Sequence, residues 1–454
     1  MPFAHPDEAE AFLAGHPDIE LIEIYIVDAN GVPRGKLLHR EELIAVYQSG
    51  RPMPSTILNL TLGGDDVEET GLVWDVGDID CRAYPLTGSL VRLPWRCMPT
   101  GAVQLQMHPT EGLPAAVADP RGLLERLVAE IASDGLHPVM ACELEFFLLD
   151  AKPDGAARPQ LALDTDGRRP RQTQVYGLRE LEQIEPFLAD LYAACREHGV
   201  PARTAISEYA PGQVEITLQH GPALEAMDQA IRYKRIVKGV ANRHGMCACF
   251  MAKPFSHLSG SGMHMHVSFA DAGGANLFAA EDRAGTAQLR HAIGGMVECL
   301  LPSQLLFCPN ANSYRRFQDK SYAPVGITWG IDNRTVSLRV PGGPPSSRHI
   351  EHRICGADAN PYLAAAAILA AAHLGIRDEM DPGPPVEGNG YAQSCRKLPT
   401  DWFNALESLA NSKWAKDAFG GEFLNVYLAI KRAEHRAFSG EVSEQDWRWY
   451  LHQA

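Results

Sequence analysis

Glu143 and Glu145 stand two residues apart inside the apolar run "ACELEFFLLD", Ala141 to Asp150. Such a run reads as a buried strand. Side chains alternate along a strand, so both carboxylates point to one face. Two unpaired anions on one buried face are very costly, so something cationic must meet them. Other segments carry carboxylates and imidazoles in similar settings. "ISEYAPGQVEITL" places Glu208 and Glu215 on either side of a Pro-Gly turn that can fold both towards one point. "GSGMHMHVSF" puts His264 and His266 on one strand face, and "RHIEHRI" does the same for Glu351 and Arg353.

Five carboxylates and the His264 imidazole form a hard, oxygen-rich donor set that suits Mg²⁺ or Mn²⁺ better than zinc or copper. They exceed what one ion needs, which points to two or more. Arginines follow in "NSYRRF" (Arg315, Arg316), "IDNRTVSLRV" (Arg334, Arg339) and "EHR" (Arg353). Paired divalent ions and converging arginines are what phosphoryl transfer requires, because both offset charge on the transferred group. No G-x-x-x-x-G-K-[ST] stretch occurs, which argues against a P-loop.

The elements that must position these groups can be read coarsely. Residues 20 to 105 are rich in short strand-like pieces, beginning with "IELIEIYIVDANGVPRGK" and its "DANG" turn. Asp119-Pro120 opens a helix that Gly135 ends. Strands then alternate with helices expected over Ala223–His244, Ala287–Leu301 and Asn360–Ile376. A small β-rich domain over residues 1–110 and a large α+β domain over 111–454 follow from this order. At 454 residues the chain is too long for a single core.

Composition excludes several classes. A formal net charge of −15 argues against nucleic acid or an anionic membrane as general partner. The ten cysteines include no C-x-x-C pair, and Cys247 and Cys249 would share a strand face without suiting a zinc knuckle. The start "MPFAHPDEAE" lacks the pattern of a secretory signal, and "NPYLAAAAILAAAHLGI" is too short for a membrane span. The expectation is a cytoplasmic protein.

Taken together, "ELEFFL", "GSGMHMHVS", "NSYRR", "NRTVSLRVP" and "RHIEHRICGADANPYL" resemble the glutamine synthetase family, in order and from about residue 20 to the end. The resemblance implies an α+β fold with a β-grasp-like N-terminal domain and a catalytic domain built on a curved antiparallel sheet. It implies a homo-oligomer, a hexameric ring that could stack into a dodecamer, with active sites between neighbouring subunits. Glu145, Glu208 and Glu215 match the ligands of one metal, and Glu143, His264 and Glu351 those of a second. Gly260, Arg316 and Arg353 match groups that hold glutamate. His266, Ser268, Arg334 and Arg339 match positions near ATP and its phosphates. Arg334, Arg339 and Arg353 carry the catalytic roles.

The departures say more than the matches. The family has a glutamate before an Ala-Pro on a flap, which helps deprotonate ammonium; here the stretch is "RRFQDKSYAPVG", with Tyr322 at that position. An aspartate that attracts ammonium from the neighbouring subunit corresponds to about Pro54 in "GRPMPSTIL". Ser259 and Ser346 replace an asparagine and a lysine. The phosphate machinery is kept while the ammonium site is lost, and an aromatic surface suits an organic amine. Trp329, seven residues after Tyr322, is either a second aromatic wall or a core residue.

This pattern is similar to the γ-glutamylamine (γ-glutamylpolyamine) synthetase branch. The implied reaction phosphorylates the γ-carboxylate of glutamate with ATP, and a primary amine then displaces phosphate. The amine is a polyamine or a hydrophobic or aromatic monoamine. Competing readings are an ordinary glutamine synthetase, a non-catalytic structural relative, and a ligase for another acid.

Overall fold

The computed structural model describes residues 4–108, 115–151 and 159–454. The domain boundary expected near residue 110 lies outside the described residues. Fifteen strands form two sheets among those described. The first contains β1 (Leu21–Val27), β2 (Pro33–His39), β3 (Arg51–Pro54), β4 (Asp80–Pro85), β5 (Val91–Arg92) and β6 (Thr100–Met107). Its order is β2-β1-β6-β4-β3, with β5 on β6. β1 runs antiparallel to β2 and parallel to β6. The "DANG" turn forms as expected: Asp28 Oδ1 accepts from the backbone N–H of Asn30 and of Val32, and Gly31 has φ of +73°.

Alternation along β1 divides its side chains between two cores. Ile22, Ile24 and Ile26 pack into a small core, while Tyr25 and Val27 join the large one. β1 is therefore buried on both faces, one of them against the rest of the chain.

The second sheet comprises β7 (His137–Asp150), β8 (Ala202–Ser207), β9 (Gln213–Leu218), β10 (Gly221–Pro222), β11 (Met246–Cys249), β12 (Met263–Ala270), β13 (Trp329–Ile331), β14 (Leu338–Val340) and β15 (Ile350–His352). Its order is β13-β14-β15-β12-β7-β9-β8, antiparallel except for the β13–β14 pair. The small sheet and this larger curved one, backed by helices, make an α+β fold. In β7 the residues Met140, Cys142, Leu144 and Phe146 enter the core, which leaves Glu143 and Glu145 on the opposite face.

Helices Pro120–Ser133 and Ala223–Arg243 cover the core face of β7. The first is capped by Asp119, whose side chain accepts from the N–H groups of Arg121 and Gly122. The helix expected to stop at Leu301 continues to Phe307, with Pro302 inside it. Burial of Leu305, Leu306 and Phe307 outweighs the hydrogen bond that proline removes. Helix Pro361–Arg377 is buried along nearly its whole length, capped by Asn360. Among the described residues no helix is long and apolar enough to cross a membrane.

Candidate active site

Strand register gathers the candidate residues. Glu145 on β7 lies opposite Glu215 on β9, and Glu143 lies opposite His264 on β12. His266 faces Glu351 on β15, and Glu351 faces Arg339 on β14. Directly opposed side chains on one face lie about 5 Å apart at Cβ, so five neighbouring strands set these groups in contact across the sheet. Glu208 follows the end of β8, where the Pro-Gly turn brings it back towards Glu215. All five glutamates and His264 line one cavity of about 510 Å³.

The donor atoms fall into two groups, each within 4.8 Å: Glu143, Glu215 and His264, and Glu143, His266 and Glu351. These groups cut across the family-derived division into Glu145/Glu208/Glu215 and Glu143/His264/Glu351. Glu143 belongs to both because it sits between the histidines. His264 Nδ1 is 3.3 Å from its Oε2, and His266 Nε2 is 3.1 Å from its Oε1. The second is an ion-pair contact only, and His266 Nε2 is a buried atom without a hydrogen-bond partner.

The electrostatics separate the carboxylates differently. Burial and the neighbouring Glu208 charge push Glu145 up to about 8. Burial and four surrounding glutamates push Glu215 up to about 10. Glu208 is raised mainly by burial. Burial also works against Glu143, but His264 and His266 outweigh it and hold its carboxyl well below the usual range. In Glu351, Arg353 and the two histidines overcome burial and leave a value of about 2. Glu145, Glu208 and Glu215 are thus the carboxylates that lack sufficient positive charge. A hard divalent cation fits a buried, oxygen-rich set of this kind, which also meets the cost of keeping these anions ionised.

Glu145 is positioned by its surroundings. Its Oε2 accepts from Gly262 N at 2.9 Å and from Gln213 Nε2 at 3.1 Å. Gln213 also donates to the Gly260 carbonyl and to Ser261 Oγ. A Cβ at Gly260 would lie 2.7 Å from the Ala252 carbonyl and 2.7 Å from Arg316 Cγ, so the close approach requires glycine there.

The arginines separate by partner. Arg339 pairs with Glu351 at 2.8 Å and Asp332 at 2.7 Å, and Arg353 pairs with Glu351. The Nε atoms of Arg339 and Arg353 are buried without hydrogen-bond partners. Arg316 is buried and donates to the carbonyls of Ile354 (2.7 Å) and Arg353 (3.0 Å). Arg334 lines the same cavity but is exposed. Arg315 lies apart, exposed beside the Phe438 ring.

His266 and Ser268 line an adjoining cavity of about 610 Å³, together with Ser346, Arg348 and His349. Glu143 borders both cavities. A third cavity of about 830 Å³, on the other side of Gln213, carries none of the candidate carboxylates.

Gly260, Ser259 and Tyr322 line the first cavity. Trp329 does not: of its two readings, the structure gives the core residue and not the second aromatic wall. It is buried in β13, the edge strand of the large sheet, because the segment 383–386 covers it: its indole N–H donates to the Gly383 carbonyl and its own carbonyl accepts from Val386 N–H. Pro54 ends β3 opposite Asp80 in the small sheet and is not among the lining residues. Sequence reasoning missed Gln213, Tyr209 and Tyr176. Gln213 shares a strand face with Glu215 by simple alternation, and Tyr209 adjoins Glu208, so both had a signal. Tyr176 lies in the polar stretch "RRPRQTQVYG", which has no periodicity to read.

Comparison with known proteins adds to this geometry. The family profile described as glutamine synthetase, catalytic domain, matches residues 117–450. Gamma-glutamylputrescine synthetase PuuA of Escherichia coli (strain K12) is 36% identical over 99% of this chain and 96% of its own length. Gamma-glutamylethanolamide synthetase GlnA4 of Streptomyces coelicolor (strain ATCC BAA-471 / A3(2) / M145) is 33% identical over 97% of this chain and 94% of its own. A solved structure described as a GmaS/ADP complex superposes with a TM-score of 0.84 at 28% identity, covering 97% of this chain and 99% of that one.

Proposed function

The chain belongs to the glutamine synthetase family, and on that premise we propose that it is an ATP-dependent ligase joining the γ-carboxylate of glutamate to an organic primary amine, with ammonium a poor substrate. The observation that carries the reading is Tyr322, a neutral aromatic residue at the cleft, on the flap where the family pattern has a carboxylate. The carboxylate cluster and arginines for phosphate chemistry stand intact beside it. The relatives named above make amides of putrescine and of ethanolamine, which supports an amine acceptor.

Glutamate is assigned to the first cavity, where Gly260, Arg316 and Arg353 would hold it, and ATP to the adjoining one, with His266 and Ser268. Glu143 then stands between donor and acceptor. Glu145, Glu208, Glu215, Glu143, His264 and Glu351 would hold two or more Mg²⁺ or Mn²⁺ ions. When bound, these ions offset carboxylate charge and polarise the transferring phosphoryl group. The γ-carboxylate oxygen attacks the terminal phosphorus of ATP, giving γ-glutamyl phosphate and ADP. Arg334 and Arg339 face the transferring group, and their contribution grows as its charge develops. Arg353, tied to Glu351, lines the same cavity and adds positive charge there. The neutral amine nitrogen, its ammonium proton already lost to solvent, then attacks the acyl carbon; the bond from acyl carbon to phosphate oxygen breaks, and phosphate and the nitrogen's second proton leave as the amide forms. Polyamines and hydrophobic or aromatic monoamines are the acceptor candidates, and the working unit is a homo-oligomeric ring.

The test is phosphate release with ATP, Mg²⁺ and glutamate across ammonium, putrescine, alkylamines and arylalkylamines. At least one amine should far exceed ammonium. Glutamine formation matching every amine would favour an ordinary glutamine synthetase, and no turnover with any acceptor would favour a non-catalytic relative.

A further inference from the structure

On the ligase reading above, we propose that Gln213 is a positioning residue that couples the divalent-ion site to the glutamate site, so that ion and glutamate bind cooperatively through its side-chain amide. Gln213 opens β9 and is 2% exposed. Its amide touches both sites at once, and its partners all belong to its own chain. Nε2 lies 3.1 Å from Glu145 Oε2, 2.9 Å from the Gly260 carbonyl and 3.2 Å from Ser261 Oγ. Oε1 accepts from Ala210 N–H at 3.3 Å, which fixes the plane of the amide. An NH2 group has two hydrogens, so these three acceptors compete for two donors. An ionised carboxylate is the strongest acceptor of the three. A cation held by Glu145 offsets that charge and weakens its claim, and the donors pass to Gly260 and Ser261.

Those two residues form the loop assigned to glutamate. The Gly260–Ser261 peptide is held at both poles: Ser261 N–H donates to the Ala252 carbonyl at 2.8 Å, and Gln213 holds the opposite carbonyl. Gln213 thus sets the aim of the Gly260 carbonyl, an acceptor suited to the α-ammonium of glutamate. Gly262 closes the link. Its N–H donates to Glu145 Oε2 at 2.9 Å, and its carbonyl accepts from Glu145 N–H at 3.1 Å. A Cβ at Gly262 would lie 2.8 Å from Arg316 Nη2, so the guanidinium that would hold glutamate rests on this loop. The Gln213 backbone reaches a further candidate ligand, because its carbonyl accepts from Glu208 N–H at 3.0 Å. Groups that orient metal ligands from behind commonly tune metal affinity, and here the same group also orients the neighbouring substrate loop.

The test is calorimetric titration of the full-length protein with glutamate, once with saturating Mn²⁺ and once with EDTA. In the unaltered protein Mn²⁺ should tighten glutamate binding by about tenfold or more, and glutamate should tighten Mn²⁺ binding by the same factor. Gln213→Met keeps the side-chain volume and removes the amide. The ratio of the two glutamate Kd values should fall in it by about fivefold or more. Gln213→Asn keeps an amide on an arm one methylene shorter, which cannot span Glu145 and Gly260 together, and should lower the ratio as well. Lost packing alone would lower Tm and weaken both Kd values alike. An unchanged ratio in either folded variant therefore overturns the proposal. So does an unaltered protein whose glutamate affinity ignores Mn²⁺, a result that needs no variant to fold. Absence of glutamate binding to the unaltered protein under both conditions would instead refute the ligase reading, and the coupling with it.

Discussion

Glu145 and Glu215 face each other across β7 and β9; burial raises both, reinforced by the Glu208 charge at Glu145 and by the surrounding glutamates at Glu215. In the metal-free protein, Glu145→Gln and Glu215→Gln should therefore be no less stable than the unaltered chain. The unaltered chain should gain about 2.7 kcal/mol at Mg²⁺ or Mn²⁺ a hundredfold above its Kd. The variants should gain clearly less and lose ATP-dependent turnover. Calorimetry with and without the ion checks both, and an equal gain in all three proteins would remove these residues from the ligand set. The arginines separate on the same scale. Arg316 satisfies two buried carbonyls, so Arg316→Ala should cost about 1–3 kcal/mol of stability as well as raise KM for glutamate. Arg334 is exposed, and Arg334→Ala should leave Tm unchanged while lowering kcat about a hundredfold. Thermal melts beside glutamate-dependent kinetics check this division; matching losses in both variants would refute it.

Among the elements, helices Ala287–Phe307 and Pro361–Arg377 pack through paired glycines. A Cβ at Gly295 would lie 2.0 Å from the Ala371 carbonyl, and one at Gly375 would lie 2.1 Å from the His291 carbonyl. Backbone atoms cannot move aside as a side-chain tip can. Glycine inside a helix costs about 0.5–1 kcal/mol relative to alanine, and here the close approach offsets that cost. Gly295→Ala or Gly375→Ala should therefore destabilise the protein by about 2 kcal/mol or more, measured by chemical denaturation, despite the better helix propensity of alanine. A stabilised variant would mean that the helices lie farther apart than this. These helices brace the large core that carries the sheet, so activity should fall along with stability.

At the scale of the whole molecule, a buried charge joins the ends of the chain. Lys431, on helix Gly421–Gly440, is fully buried and pairs with Glu434 at 2.8 Å. Glu434 in turn accepts from Asn30 Nδ2 at 2.9 Å and from Leu62 N at 2.7 Å, both in the N-terminal part of the chain. Lys431→Ala would leave a buried carboxylate without its cation and should cost about 3–5 kcal/mol. Lys431→Met with Glu434→Gln should recover much of that loss, because no uncompensated charge remains. A double-mutant cycle in denaturant checks the coupling, and additive losses would show that the pair is not the link.

Local rules were enough for part of the fold and most of the carboxylate cluster. Alternation placed Glu143 with Glu145 and His264 with His266, the Pro-Gly turn joined Glu208 to Glu215, and Asp119-Pro120 marked a helix start that its cap confirms. These readings depend only on strand period and turn chemistry, which a chain carries in its neighbouring residues. Other features depend on which distant segments meet. Helix Ala287–Phe307 runs through Pro302 because its last turn is buried, and Trp329 is buried because the distant segment 383–386 covers the edge strand β13. Glu143 belongs to both donor groups because β12 and β15 lie beside β7 in that order, and register across non-consecutive strands is set by packing. Tyr176 joins the cleft from a segment without periodicity, since a hydrogen bond to Ser207 and a left-handed backbone hold it there. Local residue order carried the types of chemical group, and long-range packing determined which of them meet.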